Sequence, residues 1–168
     1  LQAERYCPDV NLLCFTMKEE VNEKIMKLRS GLQSELKDNI LSYWMENTID
    51  EENGGFIGHI DFYGTRSPEA TKGAILNARI LWTFSAAYRV LGDSAYRDTA
   101  RRAYEYITQY FMDREHGGVF WELDHLGRIH HSKKQIYALA FTIYGMTEYF
   151  RATGEDEAEV LGAAGERA

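Results

Sequence analysis

The chain has 168 residues, of which 45% are hydrophobic and 27% charged, an ordinary globular balance with enough length to bury a core. Its net charge of −7 argues against a nucleic-acid partner, because proteins that bind phosphate backbones carry clustered Lys and Arg. No run reaches the roughly 18 apolar residues of a membrane helix, and residues 10–15 are too short for a signal-peptide core, so we expect a soluble, cytoplasmic protein.

The first predicted element is a long amphipathic helix that begins at Met17. Its apolar residues recur at spacings of three and four, and they are Val21, Ile25, Leu28, Leu32, Leu36, Ile40 and Tyr43. Residues 1–16 lack this periodicity, and we interpret them as a leader of uncertain order. Cys7 and Cys14 lie in this leader, and their spacing matches no zinc or redox motif.

An internal repeat with an offset of 63 residues follows this helix. The segments DEENGGF and DREHGGV open its two copies, at residues 50–56 and 113–119, and an Asp-x-x-Gly turn follows in each, at Asp61 and Asp124. The paired glycines permit the positive φ of a tight turn, so each copy is predicted to form a small β-hairpin. Recurrence of the two aspartates favours turn-closing hydrogen bonds, with a pair of glycosidase acids as the alternative.

Helical segments are predicted at residues 68–91, 94–112 and 133–153, with Pro68 at the first position of its helix and Ser67 as the cap. Repeated helix pairs bury their apolar faces only by stacking on neighbours. An open solenoid and a closed toroid both achieve this, and we predict an all-α fold that is a toroid of helical hairpins, with the short β-hairpins on one rim.

Four motifs in order carry a family resemblance. They are DEENGGFIGHID, LNARILWTFSAAYR, DREHGGVFWELDHLG and KQIYALAF. Across residues 17–154 the chain resembles the superfamily of cellobiose 2-epimerases and N-acylglucosamine 2-epimerases, and the second motif is closer to the cellobiose branch.

The resemblance implies an incomplete (α/α)6 barrel with a central cleft and a sugar as substrate, without metal or nucleotide cofactor. The implied activity is interconversion of glucose and mannose configuration at the reducing end of β-1,4-disaccharides such as cellobiose, by removal and return of the C2 proton. N-acylglucosamine 2-epimerisation and aldose–ketose isomerisation are the alternatives within enzymes.

A further alternative is an inactive helical-repeat fragment or binding module. A full ring at this repeat length needs on the order of 370 residues, so this chain supplies less than half of one. The resemblance implies that histidines from later helices transfer the protons, so we expect the chain alone to be inactive. Residues 155–168 lack large apolar side chains, and we interpret them as a truncated or divergent tail.

Arg79 is the leading catalytic candidate. It interrupts an apolar helical stretch, on a predicted face with Lys72 and Trp82, and a guanidinium there is costly to bury without an acceptor. A polar cleft satisfies it, and an ion pair with a neighbouring helix is the alternative. The resemblance places the family's essential arginine at Arg79, as a donor to the sugar oxygens at C1 and C2, and makes Tyr137 a hydrogen-bonding residue at the reacting sugar.

Three weaker candidates complete the predicted substrate site. Trp82 and Phe141 either contact the sugar or fill the core, since aromatic residues at helical spacing do both. His59 lies in the first hairpin near the cleft rim. The remaining histidines match no metal-ligand spacing, so we interpret them as exposed loop residues and predict no metal site; they are His116, His125, His130 and His131.

Overall fold

The computed structural model describes residues 10–154. This part of the chain is mostly helical and carries one small antiparallel sheet. Its helices are α1 (Val10–Ser34), α2 (Ser42–Asn47), α3 (Ala74–Leu91), α4 (Ser94–Tyr106) and α5 (Ile136–Thr153), and its strands are β1 (Lys72–Gly73), β2 (Glu122–Leu123) and β3 (Ile129–His131). Two π-helical segments, Glu35–Leu41 and Ile107–Phe111, continue α1 and α4. None of these helices has the length and apolar character needed to cross a membrane.

The chain divides into two compact units, Leu1–Tyr43 and Trp44–Ala168. In the first unit α1 begins at Val10, earlier than the predicted start at Met17. Residues 10–16 contain neither Gly nor Pro, and Pro8 is the nearest helix breaker in the sequence. The rest of the predicted leader and the whole predicted tail lie outside the described residues.

The second unit is organised around α3. A turn at Gly92, whose φ of 77° is left-handed, ends α3, and the Asp93 side chain caps α4 by accepting from the backbone N–H of Ala95. Helix α4 therefore folds back beside α3, and α5 packs on α3 as well. The core residues shared by these helices include Ala78, Leu81, Phe84, Ala100, Ala103, Ala138, Met146 and Tyr149.

The predicted start of the helix at Pro68 is wrong. Residues 67–70 form a turn in which the N–H of Ala70 donates to the carbonyl of Ser67, and α3 begins only at Ala74. The intervening strand β1 pairs with β2, Lys72 opposite Leu123 and Gly73 opposite Glu122. Pairing with a strand of the second copy keeps this segment extended, so Pro68 cannot serve as the first residue of a helix.

The second copy forms the predicted hairpin, with β2 antiparallel to β3. In the first copy the corresponding ribbon is reduced to a single bridge between Ile60 and Arg66. The prediction of turn-closing aspartates is confirmed. Asp61 Oδ1 accepts from the backbone N–H groups two and four residues later, and Asp124 Oδ1 does the same.

These turn hydrogen bonds explain why the pKa values of the two aspartates are lowered. The backbone N–H of Thr65 is the main cause that lowers the pKa of Asp61, and that of Arg128 is the main cause for Asp124. Each carboxylate is used by its own turn at the same repeat position. The geometry gives them a structural task and offers no support for a glycosidase acid pair.

Candidate functional site

Helices α3 and α5 approach each other closely at Gly145. A Cβ at this position would lie 2.7 Å from the carbonyl oxygen of Ala78, so only glycine allows the two backbones this contact. One residue earlier, Tyr144 stacks on Trp82 with ring centroids 5.1 Å apart and planes 11° from parallel. The close approach thus creates a surface that is shared by the two helices. We call this surface, which carries Trp82 and Tyr144, the α3–α5 face.

Arg79 lies one turn before Trp82 on α3, and its side chain is exposed. Among residues 18–154, whose side chains the structure describes, it forms neither an ion pair nor a hydrogen bond, so the alternative of a carboxylate partner on a neighbouring helix finds no support there. Arg89, on the same helix, differs: its Nε donates to Glu148 Oε1 at 2.6 Å. Helix α3 therefore carries one arginine held in an ion pair, Arg89, and one that no described residue pairs, Arg79.

Tyr137 begins the aromatic part of α5. The residue is 59% exposed, and its ring meets Phe141 edge to face, with centroids 4.9 Å apart. Phe141 is half-buried, and Tyr144 follows at helical spacing. The structure therefore joins Tyr137 to Phe141 and Trp82 to Tyr144 through ring contacts. Tyr144 was absent from the predicted site, although its three-residue spacing from Phe141 marks it as part of the same face.

Lys72 does not share a face with Arg79, contrary to the prediction. It lies in β1, fully buried, and its Nζ donates to Asp50 Oδ2 at 2.7 Å and to the carbonyl of Gly54 at 2.6 Å. The ammonium also sits 5.1 Å from the centroid of the Tyr106 ring. Burial alone would raise the pKa of Asp50, but the hydrogen bond from Lys72 and two backbone N–H donors lower it.

The second copy repeats this interaction, in which a lysine binds both the aspartate that opens a glycine turn and a carbonyl of that turn. We call it the lysine clasp. Lys134 Nζ reaches Asp113 Oδ2 at 2.5 Å and the carbonyl of Gly117 at 2.6 Å. The Lys134 hydrogen bond, followed by the backbone N–H of His116, lowers the pKa of Asp113 to about 2. Both lysines tie a glycine turn to the segment that leads into the next helix, and this is a structural task.

His59 is exposed on the first hairpin, and its backbone carbonyl accepts from the N–H of Ser67 at 3.0 Å. Among the described residues, no hydrogen bond or ring contact joins its imidazole to Arg79, to Tyr137 or to the aromatic rings of the α3–α5 face. Its place in a substrate site remains a prediction.

The histidines of the second copy are not all loop residues. His116 is exposed in the glycine turn, 3.6 Å from Asp113, as predicted. His131 belongs to β3, and with His130 and Glu122 it forms a group whose potential ligand atoms all lie within 4.8 Å of one another. No standard motif spacing connects these three residues, so the sequence alone does not indicate the group.

A repeated helix and hairpin unit with an exposed arginine, which no described residue pairs, one turn from a stacked tryptophan defines a helical-repeat protein with a face of the kind that carbohydrate sites use. The profile of the N-acylglucosamine 2-epimerase (GlcNAc 2-epimerase) family matches residues 55–165. The chain belongs to this family of carbohydrate 2-epimerases, which are isomerases, and the resemblance seen in the sequence is confirmed.

The chain is more similar to a relative from the cellobiose branch than to one from the N-acylglucosamine branch. Cellobiose 2-epimerase of Bacteroides fragilis is 53% identical over 131 residues, which cover 78% of this chain and 33% of the relative. Human N-acylglucosamine 2-epimerase is 27% identical over 141 residues, 82% of this chain and 33% of the relative. The chain thus spans about a third of the length of the curated relatives it matches.

A solved structure supports the same assignment. Cellobiose 2-epimerase from Bacillus thermoamylovorans B4167 superposes with a TM-score of 0.77 at 38% identity, over 83% of this chain and 35% of that one. The mostly helical character predicted from the sequence is confirmed, and the fold corresponds to part of that epimerase.

Proposed function

We propose that the whole protein is a cellobiose 2-epimerase, which interconverts the glucose and mannose configurations at the reducing end of cellobiose-like β-1,4-disaccharides. The observation that carries this proposal is the identity to a cellobiose 2-epimerase, 53%, against 27% to an N-acylglucosamine 2-epimerase over a similar length. We further propose that these 168 residues form part of an (α/α)6 barrel with the sugar in its central cleft.

The reaction sets the requirements for the site. The sugar ring opens, the proton at C2 next to the aldehyde is removed, and a proton returns to the opposite face. The intermediate is an enediolate, whose oxygens at C1 and C2 need hydrogen-bond donors or cations. A guanidinium suits this task, since its fixed fork of donors can bind two adjacent oxygens at once.

Arg79 is the residue to which we assign this task. Its support is that it is exposed beside Trp82 on the α3–α5 face and that no described carboxylate engages it. A donor that is already paired would have to break that pair to reach the substrate. Arg79 bears no such cost, whereas Arg89 is held by Glu148.

The aromatic residues supply the rest of the proposed contacts. The faces of Trp82 and Phe141 can pack on the C–H groups of a sugar ring, and the exposed phenol of Tyr137 can bond a sugar hydroxyl. His59 is proposed as a contact at the rim. The groups that transfer the C2 proton are proposed to come from parts of the barrel outside these 168 residues, so the chain alone is predicted to be inactive.

The test is to incubate the intact protein separately with cellobiose, N-acetylmannosamine and mannose, and to follow the anomeric signals by NMR in D2O. We expect conversion of cellobiose to its mannose-ended epimer, with deuterium appearing at C2. Conversion of N-acetylmannosamine alone would favour the N-acylglucosamine alternative, and conversion of mannose to a ketose alone would favour isomerisation. Absence of any product from cellobiose overturns the proposal.

A further inference from the structure

The hairpin of the second copy contains a β-bulge at its histidines. Leu123 pairs with Ile129 and Glu122 pairs with His131, so His130 is an extra residue on strand β3. In a regular strand, successive side chains point to opposite faces of the sheet. A bulge places two residues opposite one and re-aims their side chains, which explains how two consecutive histidines come to lie beside a single carboxylate.

The three side chains are close enough to share a metal ion. Their potential ligand atoms lie within 4.8 Å of one another, with 3.8 Å between His131 Nε2 and Glu122 Oε2, and the two imidazole centroids are 4.7 Å apart. Ligands of a tetrahedral zinc ion, each about 2.1 Å from the metal, are roughly 3.4 Å apart. Binding therefore requires the side chains to close by about 1 Å, and exposed imidazoles can rotate that far without disturbing the core.

A second contact holds the carboxylate in place. The Thr71 hydroxyl donates to Glu122 Oε1 at 2.5 Å, which leaves Oε2 on the side of His131, 3.8 Å from its Nε2. Outer hydrogen bonds of this kind orient metal ligands in proteins. Thr71 directly precedes β1, so the arrangement links the first copy to the hairpin of the second.

We propose that Glu122, His130 and His131 form a binding site for a divalent ion of the zinc class, with water as the fourth ligand. Two imidazoles and one carboxylate are a donor set that zinc favours. The ion would bridge β2 and β3 at the bulge and, through Thr71, brace the strand that leads into α3. The proposal is independent of the epimerase activity, because none of these residues belongs to the α3–α5 face.

Zinc titration of the full 168-residue chain tests this site. Cys7 and Cys14 are first replaced by Ser, so that thiols do not compete for the ion. Zinc chloride is then added in the presence of a chromophoric chelator that reports the free ion. We expect one ion per chain, together with a higher melting temperature in zinc, since a ligand that binds only the folded state stabilises it.

Variants locate the site. Glu122→Gln keeps an acceptor for Thr71 but removes the charge, while His130→Ala and His131→Ala each remove a ligand. Each is expected to weaken zinc binding by about tenfold or more and to reduce the thermal shift accordingly. His116→Ala and His125→Ala are matched controls from the same copy and are expected to bind as the parent does. Circular dichroism confirms that every variant keeps the parent's helix content.

Two results would overturn the proposal. One is the absence of stoichiometric zinc binding by the cysteine-free parent while it is folded. The other is a set of Glu122, His130 and His131 variants that bind zinc as well as the two control variants do.

Discussion

Lys72 and Lys134 form the same clasp in successive repeats, yet only Lys72 is buried. Each ammonium binds the aspartate that opens its glycine turn and a carbonyl within that turn, Asp50 and Gly54 in the first copy, Asp113 and Gly117 in the second. The side chain of Lys72 is 0% exposed and that of Lys134 is 36% exposed. One interaction thus occurs in two solvent environments within a single chain.

Loss of the buried clasp is predicted to cost far more stability than loss of its exposed counterpart. Lys72→Met leaves the carboxylate of Asp50, itself 3% exposed, without its cation, and removing one partner of a buried pair costs about 3 kcal/mol or more. Lys134→Met removes an ammonium whose side chain is 36% exposed, so water can take its place beside Asp113, although the Asp113 side chain is itself only 9% exposed. Urea unfolding of both variants, followed by circular dichroism, measures the difference, and equal losses would show that burial does not set the strength of the clasp.

The low pKa of Asp113 predicts a loss of stability in acid. A carboxyl group whose pKa is lower in the folded state stabilises the fold above its unfolded value and loses that contribution as the pH falls through its folded value. For Asp113 the window runs from the ordinary value of 3.8 down to about 2. Asp113→Asn should therefore reduce the slope of unfolding free energy against pH in this window. A slope like that of the parent would contradict the effect of Lys134 on this group.

Local signals in the sequence predicted much of this fold. The paired glycines, the Asx turns at Asp61 and Asp124 and the main helices depend on residues a few positions apart, and all of these are present. The predicted start of α3 was wrong because β1 pairs with a strand about fifty residues later, an interaction that no local pattern encodes. The exposure of Arg79 could be predicted from the cost of burying a guanidinium. The stacking of Tyr144 on Trp82 could not, because it depends on the close approach of two helices at Gly145.

Alanine at Gly55 is predicted to destabilise the chain more than alanine at the equivalent Gly118. Both glycines have left-handed φ values, 63° and 79°, so both substitutions carry a backbone cost of about 1 to 2 kcal/mol. At Gly55 a Cβ would also lie 2.7 Å from the buried ring of Tyr106, whereas at Gly118 the nearest atom is 3.6 Å away, in the flexible chain of Lys134.

The additional steric cost at Gly55 is expected to be about 1 to 3 kcal/mol, the usual range for overpacking. Melting temperatures of the two variants, measured side by side, give the difference directly. Indistinguishable values would mean that Tyr106 moves aside without cost.

Replacing either of two helical glycines by alanine is predicted to change the stability of the chain, in opposite directions at the two positions. At Gly145 a Cβ would collide with the carbonyl of Ala78, a backbone atom that cannot rotate away, so Gly145→Ala should destabilise the contact of α3 with α5. At Gly31 in α1, apart from the adjacent helix backbone, no atom of the described residues lies within 4 Å of the position of a Cβ. Gly31→Ala should raise stability by up to about 1 kcal/mol, because alanine favours the helix. Chemical unfolding of each variant tests the signs, and a gain from Gly145→Ala would contradict the close approach.

Arg79→Ala in the intact protein is predicted to reduce turnover of cellobiose by about a hundredfold, the effect of losing one donor to a developing oxyanion. Its melting temperature should change little, because Arg79 is exposed and has no described partner to lose. Arg79→Lys keeps the charge without the fork of donors, so its turnover should lie between that of the parent and that of Arg79→Ala.

Arg89→Ala is the matched control on the same helix. It leaves Glu148, whose side chain is only 9% exposed, without its 2.6 Å partner, so the melting temperature should fall while turnover per folded molecule is retained. The two arginines thus separate chemistry from packing within one helix. If Arg79→Ala lowered the melting temperature as much as Arg89→Ala and left turnover unchanged, Arg79 would be a structural residue and the proposed oxyanion donor would have to lie elsewhere.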